Sequence, residues 1–306
     1  LTMRFLPARF ALAGLFFAAC VTSLCMGTSV GTIIALMPIA AGLAERTEMT
    51  LPIVAAAVVG GAFFGDNLSF ISDTTIVSTQ SQGCKLSDKF RFNIRMVLPV
   101  AIIAGLIYIF LGSEATEVVA PQTIPFWKVI PYLTVLVCAA IGMNVLVVLV
   151  IANLLTCITG IIGGSYDFMG WITSTLDGVM GMSELILISM LAGGIFAMIS
   201  HNKGMDFIIE RITSRVKHRW GAELSICMLV AFANICTANN TIAILSVGDI
   251  SRRISERFGI DPRRSASLLD TTSCCVQGLL PYGAQLLMAS GFAGISAMSI
   301  VPYLYY

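Results

Sequence analysis

Charge is scarce in this sequence and histidine almost missing. Aspartate, glutamate, lysine and arginine make up 11% of the 306 residues, against about a quarter in soluble domains, so the chain has too little polar surface to meet water on all sides. Its two histidines, His201 and His218, sit in one polar connector. That excludes a His-Glu-x-x-His metalloprotease helix and leaves no recognisable Ser-His-Asp set, which argues against an enzyme. No Cys-x-x-Cys pair occurs among the nine cysteines (Cys20, Cys25, Cys84, Cys138, Cys157, Cys227, Cys236, Cys274, Cys275). All but Cys84 lie in apolar or weakly polar runs, where free cysteine behaves as a small buried hydrophobe. There is no basic domain, and the basic clusters flank apolar segments, which excludes nucleic acid as a partner.

What the chain has in excess is apolar length. Hydrophobic residues reach 57% and the mean hydropathy is +0.89. Apolar stretches of about 20 residues, enough to cross about 30 Å of hydrocarbon, recur along it. The reading is an all-α polytopic membrane protein in the cell (inner) membrane, needing no cofactor. Leu1 is not an initiator, and the sequence stops inside the apolar run Ser299–Tyr306, so it reads as a fragment short of helices at both ends. The first apolar stretch has no small-residue cleavage site, which argues against a signal peptide.

Residues 1–112 read as an incomplete first repeat, with a hairpin at 10–45, a broken helix at 50–80 and a span at 96–112. A basic loop (Lys85, Lys89, Arg91, Arg95) precedes that span, and 113–128 is an acidic linker with Glu114 and Glu117. Residues 129–306 read as a second repeat. Its first apolar run, 129–163, is too long for one span unless strongly tilted; Gly142 and Asn144 mark a turn if it is two helices. Residues 165–182 have interfacial character, and 185–200 is a span. Residues 201–219 form an amphipathic arm, with Phe207, Ile208, Ile212 and Val216 opposite Arg211, Arg215, Lys217 and Arg219. A hairpin at 222–256 and a broken helix at 262–301 follow.

The repeat rests on order rather than identity. Cys25-Met-Gly-Thr-Ser and Cys236-Thr-Ala-Asn-Asn each divide two apolar limbs, and Glu45-Arg46 and Glu256-Arg257 follow at equal distances. With one residue of slippage Pro52 matches Pro262, Asp66-Asn67 falls opposite Val276-Gln277, and Ser69–Asp73 opposite Leu279–Gly283. Interrupted hydrophobic segments at corresponding positions mark secondary transporters and point to their binding site. Loop charge places 85–95 in the cytoplasm and 113–120 outside. The two units then start from opposite sides, as inverted repeats, although Arg4 and Arg9 run against this. Each limb-tip-limb unit can be a re-entrant hairpin or two full spans.

Chemistry concentrates in the break Gly65–Thr75, which carries Asp66, Asn67, Ser69, Ser72, Asp73, Thr74 and Thr75. A carboxylate within the membrane is costly and marks function by default; in an extramembrane loop the same acids would simply be solvated. Hard cations take oxygen ligands, and a carboxylate shielded from water can hold a proton or a cation but hardly both. That competition is the minimal physics of cation/proton exchange. Thr28 and Ser29 at the first tip, Asn239 and Asn240 at the second, and Asp270 and Gln277 near the second break complete the candidate cation- and proton-binding set, with Na+ expected at Asp66. Asp249 is a further candidate, but beside Arg252 and Arg253 it reads as salt-bridged or interfacial, and Glu184 and Glu223 read as helix-start acids. No Lys or Arg falls in tips or breaks, which favours an inorganic cation; an anionic substrate would rely on helix N-termini and hydroxyls.

Gly65-Asp-Asn-Leu-Ser-Phe-Ile-Ser-Asp-Thr-Thr75 resembles the signature of the NhaC family of Na+/H+ antiporters, with Phe70 in place of the usual proline. Met26-Gly-Thr-Ser-Val-Gly-Thr32 looks like that family's Gly-Thr-Ser tip, and Ala238-Asn-Asn-Thr241 and Leu269-Asp-Thr-Thr272 resemble its second-half motifs. The resemblance covers nearly the whole chain. It implies exchange of Na+ for H+ by alternating access, with Na+/H+-coupled malate/lactate-type exchange as the alternative. It also implies paired re-entrant helical hairpins, discontinuous transmembrane helices, a homodimer, and elevator-type movement with 201–219 as the connecting arm.

Overall fold

The computed structural model describes residues 8–112, 130–140, 145–181, 183–204, 207 and 218–306. The linker 113–128, the turn at Gly142 and Asn144 and most of the arm 201–219 lie outside the described residues. Every regular element among those described is helical: α1 (Ala8–Met26), α2 (Ser29–Thr47), α3 (Leu51–Leu68), α4 (Asp73–Gln82), α5 (Leu86–Leu111), α6 (Ile130–Ala140), α7 (Val145–Ile162), α8 (Phe168–Gly181), α9 (Ser183–His201), α10 (Arg219–Thr237), α11 (Asn240–Phe258), α12 (Pro262–Leu279), α13 (Ala284–Ala293) and α14 (Ala297–Ile300). Four of the described helical stretches are long and apolar enough to cross a membrane, or five if the bent pair Pro262–Ala293 and Ala297–Tyr303 is one span. With an exposed face such as Leu98, Ile102, Ile103, Leu106 and Phe110 on α5, the chain is a multi-pass membrane protein.

Local chemistry explains where these helices stop. At the first tip the Thr28 hydroxyl accepts from Gly31 N at 3.4 Å, and at the second the Asn239 amide oxygen accepts from Ile242 N at 3.0 Å, each satisfying an orphan donor of the following helix. The residue before each cap is left-handed, Gly27 at φ 67° and Ala238 at φ 50°. Gly27 is also sterically required, because a Cβ there would lie 2.5 Å from Ile71 Cγ1. Asp261 caps α12 through Arg263 N at 2.9 Å; hydrogen bonds from the Arg263 side chain hold its carboxyl below the ordinary range, so this cap stays charged at neutral pH.

Four helices of one half, α1 to α4, match four of the other, α10 to α13, without slippage. Ala8 and Arg219, Ser29 and Asn240, Thr47 and Phe258, Leu51 and Pro262, Leu68 and Leu279, and Asp73 and Ala284 are all separated by 211 positions. The single-residue slip inferred from the prolines is therefore not present in the structure. Asp66 stands opposite Gln277 itself, not opposite its neighbour. An equivalent hydrogen bond recurs in this register: Ser23 Oγ donates to Ala62 O at 2.6 Å and Asn234 Nδ2 to Ser273 O at 2.7 Å.

Apolar packing forms two clusters. The larger joins α1, α2, α3 and α5 through Leu12, Phe16, Ile33, Met37, Val58 and Tyr108. The smaller joins α10, α11 and α12 through Ile226, Leu229, Ile244, Val247 and Leu269. Between them lies a buried polar layer that includes Asp66, Asn67, Lys89, Asn93, Ser267, Asp270, Gln277 and Gln285. Such groups persist out of water only when hydrogen-bonded or paired.

The span expected to begin at 96 begins at Leu86, so the stretch read as a basic loop is mostly helical. Lys85, Arg91 and Arg95 are exposed, but Lys89 is 1% exposed and points into the polar layer. Glu223, read as a helix-start acid, is buried against Arg264 at 2.6 Å, with Arg219 at 3.4 Å.

Candidate functional site

Asp66 lies in the last turn of α3 and is 3% exposed. Helix α3 ends two residues later because the chain turns out at Ser69, whose hydroxyl donates to Leu24 O at 2.8 Å and whose N–H donates to Gly65 O at 2.8 Å. That anchors the break against the end of α1. Both carboxylate oxygens then receive hydroxyl donors: Ser29 Oγ to Oδ2 at 2.7 Å and Ser72 Oγ to Oδ1 at 2.6 Å. Ser29 is the first residue of α2 and Ser72 caps α4, so two helix N-termini, each with partial positive charge, converge on one carboxylate. Thr74 extends the group, its hydroxyl 2.9 Å from Ser72 Oγ.

The second half reaches the same carboxylate through two amides that straddle its break. Gln285, on α13, donates from Nε2 to Ser29 Oγ at 3.0 Å. Gln277, on α12, donates from Nε2 to Gln285 Oε1 at 3.0 Å and to Ala238 O, at the second tip, at 2.8 Å. Because Gln285 donates to Ser29, that hydroxyl is left to donate to Asp66, which favours the charged carboxylate. Gln277 Oε1 and Asn234 Oδ1 are buried acceptors without a hydrogen-bond partner among the described residues. Replacing Gln285 with Leu should lower the thermal unfolding midpoint by a few degrees, the equivalent of about 1 kcal/mol for one hydrogen bond, which melting both proteins in detergent checks.

Of the candidates read from sequence, the structure brings Asp66, Ser29, Ser72 and Thr74 into direct contact and links Gln277 to them through Gln285. Asp73 is not beside Asp66. It is exposed on the first turn of α4, accepting from Thr74 N at 3.0 Å and from Thr241 Oγ1, across at the second tip, at 2.7 Å. Thr28 and Asn239 are occupied as caps, and Asn240 faces Cys274 Sγ at 4.0 Å. Ser69 is engaged with α1. The Asn67 side chain accepts from Asn93 Nδ2 at 2.7 Å and donates to Thr271 Oγ1 at 3.3 Å. Asp270 is fully buried and paired with Lys89. A cation therefore does stand at the first break, contrary to the expectation from sequence. Lys89, Asn93 and Gln285 escaped the sequence reading. The signal for the first two was available in the buried stripe Lys89, Asn93, Val97, Ala101, Ala104 and Tyr108 at helical spacing.

A carboxylate held by hydroxyls at a helix break, inside a polar layer between two apolar halves, is the kind of site a cation transporter needs. The family model of the "Na+/H+ antiporter family" matches residues 1–113 and 114–306. The chain belongs to that family. It is thus a secondary transporter that exchanges Na+ for H+, of the NhaC type, and the family is one of transporters rather than enzymes. It is similar to the "Malate-2H(+)/Na(+)-lactate antiporter" of Bacillus subtilis (strain 168), 22% identical over 98% of this chain and 70% of the relative. It is also similar to the "Na(+)/H(+) antiporter NhaC" of Alkalihalophilus pseudofirmus, 23% identical over 91% of this chain and 66% of the relative. The "Na(+)/H(+) antiporter NhaC" of Bacillus subtilis (strain 168) is 20% identical over 98% and 73%.

Proposed function

We propose that Asp66 is the residue at which this antiporter trades Na+ for a proton. The observation that carries this is the pair of hydroxyl donors on a buried carboxylate at the end of a broken helix. A carboxylate accepts at about four lone-pair positions, and Ser29 and Ser72 use two. Na+ takes the remaining oxygen positions, with the hydroxyl oxygens of Ser29, Ser72 and Thr74 nearby; a proton on Asp66 removes the charge that attracts it. One ion excludes the other. No cofactor enters this scheme.

The two halves are inverted repeats in this reading. Gln82, at the end of α4, donates to Gly248 O at 2.8 Å and accepts from Ser265 Oγ at 2.8 Å. Those bonds support one shared end for the turn after α4, the close of α11 and the start of α12, where Lys85, Arg252, Arg253 and Arg263 collect, and which faces the cytoplasm. At the other end of α5, the ideal Cβ position on Gly112 is 2.4 Å from Arg9 O, which supports entry of the first hairpin from the opposite side. The α1–α2 and α10–α11 hairpins are then re-entrant, with polar tips meeting near the bilayer centre. Irregular backbone is tolerated at that depth because protein surrounds it. Alternating access moves this part against a scaffold in a homodimer within the cell membrane, coupled through the arm 201–219.

A second reading, exchange of organic acids coupled to Na+ and H+, is favoured by the name of the malate/lactate relative. The helix N-termini of α2 and α4, which an organic anion would use, are already committed to Asp66, and this favours the inorganic cation. Vesicles loaded with a pH-sensitive dye decide between them. Na+ alone is expected to dequench the dye, and malate or lactate to leave the rate unchanged. A rate that requires either acid would replace the first reading with the second.

A further inference from the structure

The Lys89 ammonium has three protons to donate and spends each on a different element. It donates to Asn67 O at 2.9 Å, to Thr75 Oγ1 at 2.9 Å, and to Asp270 Oδ2. The first is a backbone carbonyl left open because α3 stops at Leu68, the second a hydroxyl in the opening turns of α4, the third a carboxylate on α12. Carbonyl, hydroxyl and carboxylate oxygens at a helix break are the ligand set of a hard monovalent cation. Thr75 Oγ1 closes the cradle by donating to Asp270 Oδ2 at 3.1 Å. Asn93 braces it, donating to Asn67 O at 3.2 Å and receiving from Ser267 Oγ. With Lys89 1% and Asp270 0% exposed, the pair is shielded from bulk solvent.

We propose that this is a second cation site whose occupant is the protein's own ammonium. Lys89 is a tethered cation that neutralises Asp270 and pins the first half's break to α12. Removing the side chain opens the cradle to a monovalent cation of ammonium size from solution. Asp66 is left as the buried carboxylate, among the described residues of the polar layer, that faces no protein cation. The inference goes beyond the exchange reading and its test does not depend on transport.

The test is the thermal unfolding midpoint in detergent, with ammonium chloride titrated against choline chloride at constant ionic strength. Lys89→Ala is expected to melt several degrees lower in choline and to recover in saturable fashion as ammonium is added. The unsubstituted protein and Lys89→Ala/Asp270→Asn should show no such response, the latter because the cradle has lost its charge. Lys89→Ala/Asp66→Asn should respond as Lys89→Ala does. Should Lys89→Ala fail to fold, purification in ammonium is expected to recover it, and Lys89→Met/Asp270→Asn to fold without ammonium, because a buried pair can be replaced together more safely than halved. Failure of both recoveries overturns the proposal. So does a Lys89→Ala midpoint indifferent to ammonium, or an equal response from Lys89→Ala/Asp270→Asn. A response abolished by Asp66→Asn also overturns it, by assigning the ion to Asp66, while leaving the exchange reading intact.

Discussion

Replacing Asp66 with Asn is expected to abolish Na+-driven proton movement and to leave the protein folded. The amide has nearly the same shape as the carboxylate, and its surroundings can accommodate the changed donor. Its Oδ1 can accept from the Ser29 hydroxyl, which Gln285 keeps pointing that way. Its Nδ2 can donate to Ser72 Oγ, whose own proton can turn to Thr74 Oγ1 at 2.9 Å. The second N–H of the amide gains no such acceptor, at a cost of about 1–3 kcal/mol, so the unfolding midpoint should fall by several degrees while the protein stays folded. Function has no such recourse. An amide binds no exchangeable proton at ordinary pH, and the cation loses its charged partner. Two unit charges at 4 Å with an effective dielectric of about 20 attract by about 4 kcal/mol, which is roughly a thousandfold in affinity. Dye-loaded vesicles should show no dequenching above background at any accessible Na+ concentration. Exchange at an unchanged rate with an unchanged pH profile would remove Asp66 from the mechanism.

How much of this was legible in the sequence depended on whether a residue's partner lay nearby in the chain. The tips were legible because Gly27-Thr28-Ser29 and Ala238-Asn239-Asn240 interrupt apolar limbs with residues that cap helices. The break at 69–72 was legible because hydroxyls and acids crowd an otherwise apolar run. Within that break the roles of two acids were not. The sequence reading puts Na+ at Asp66 and keeps Asp73 as a second ligand, yet the chain turns between them, so one carboxylate faces Ser29 and the other Thr241. Lys89 was hidden by its neighbours, since Lys85, Arg91 and Arg95 make the stretch look like a solvated loop. Helical phase separates them, setting Lys89 above Asn93 and Val97 on the buried face. Gln285 is one amide in an apolar run, and its partner Ser29 is 256 positions away. The repeat was legible as an order of features, but the prolines misled its register. Pro52 is the second residue of α3 and Pro262 the first of α12, and both positions suit proline at a helix start. The helix boundaries keep the register of Glu45 and Glu256 and bring Asp66 opposite Gln277, a carboxylate in one half matched to an uncharged counterpart in the other.

Gly65→Ala, next to the carboxylate, is expected to damage both stability and exchange, because α3 meets α1 there with no room for a side chain. A Cβ on Gly65 would sit 2.5 Å from Cys20 O, Leu24 N and Ser23 Cβ. On Gly61, one turn earlier, it would sit 2.4 Å from Phe16 O and 2.7 Å from Ala19 Cβ. Two glycines four residues apart are the small-residue pattern that lets membrane helices approach backbone to backbone, and here it also allows the Ser23 Oγ to Ala62 O bond at 2.6 Å. Backbone atoms cannot swing aside as a flexible side chain can, so α1 must retreat. Overpacking of this kind costs about 1–3 kcal/mol, to be read as a lowered unfolding midpoint. The retreat carries the first tip with it, because Gly27 N is hydrogen-bonded to Ser23 O at 2.8 Å and Ser29 follows two residues later. A shift of about 1 Å is enough to separate Ser29 from Asp66, and misplacements of that size can cost about a hundredfold in rate. Gly61→Ala should destabilise comparably but disturb exchange less, since its clash falls one turn farther from Ser29. Measuring midpoint and Na+ dependence on both variants separates the two effects. If Gly65→Ala kept the unsubstituted midpoint and KM for Na+, close approach of α1 and α3 would not be what sets the Ser29 hydroxyl against Asp66.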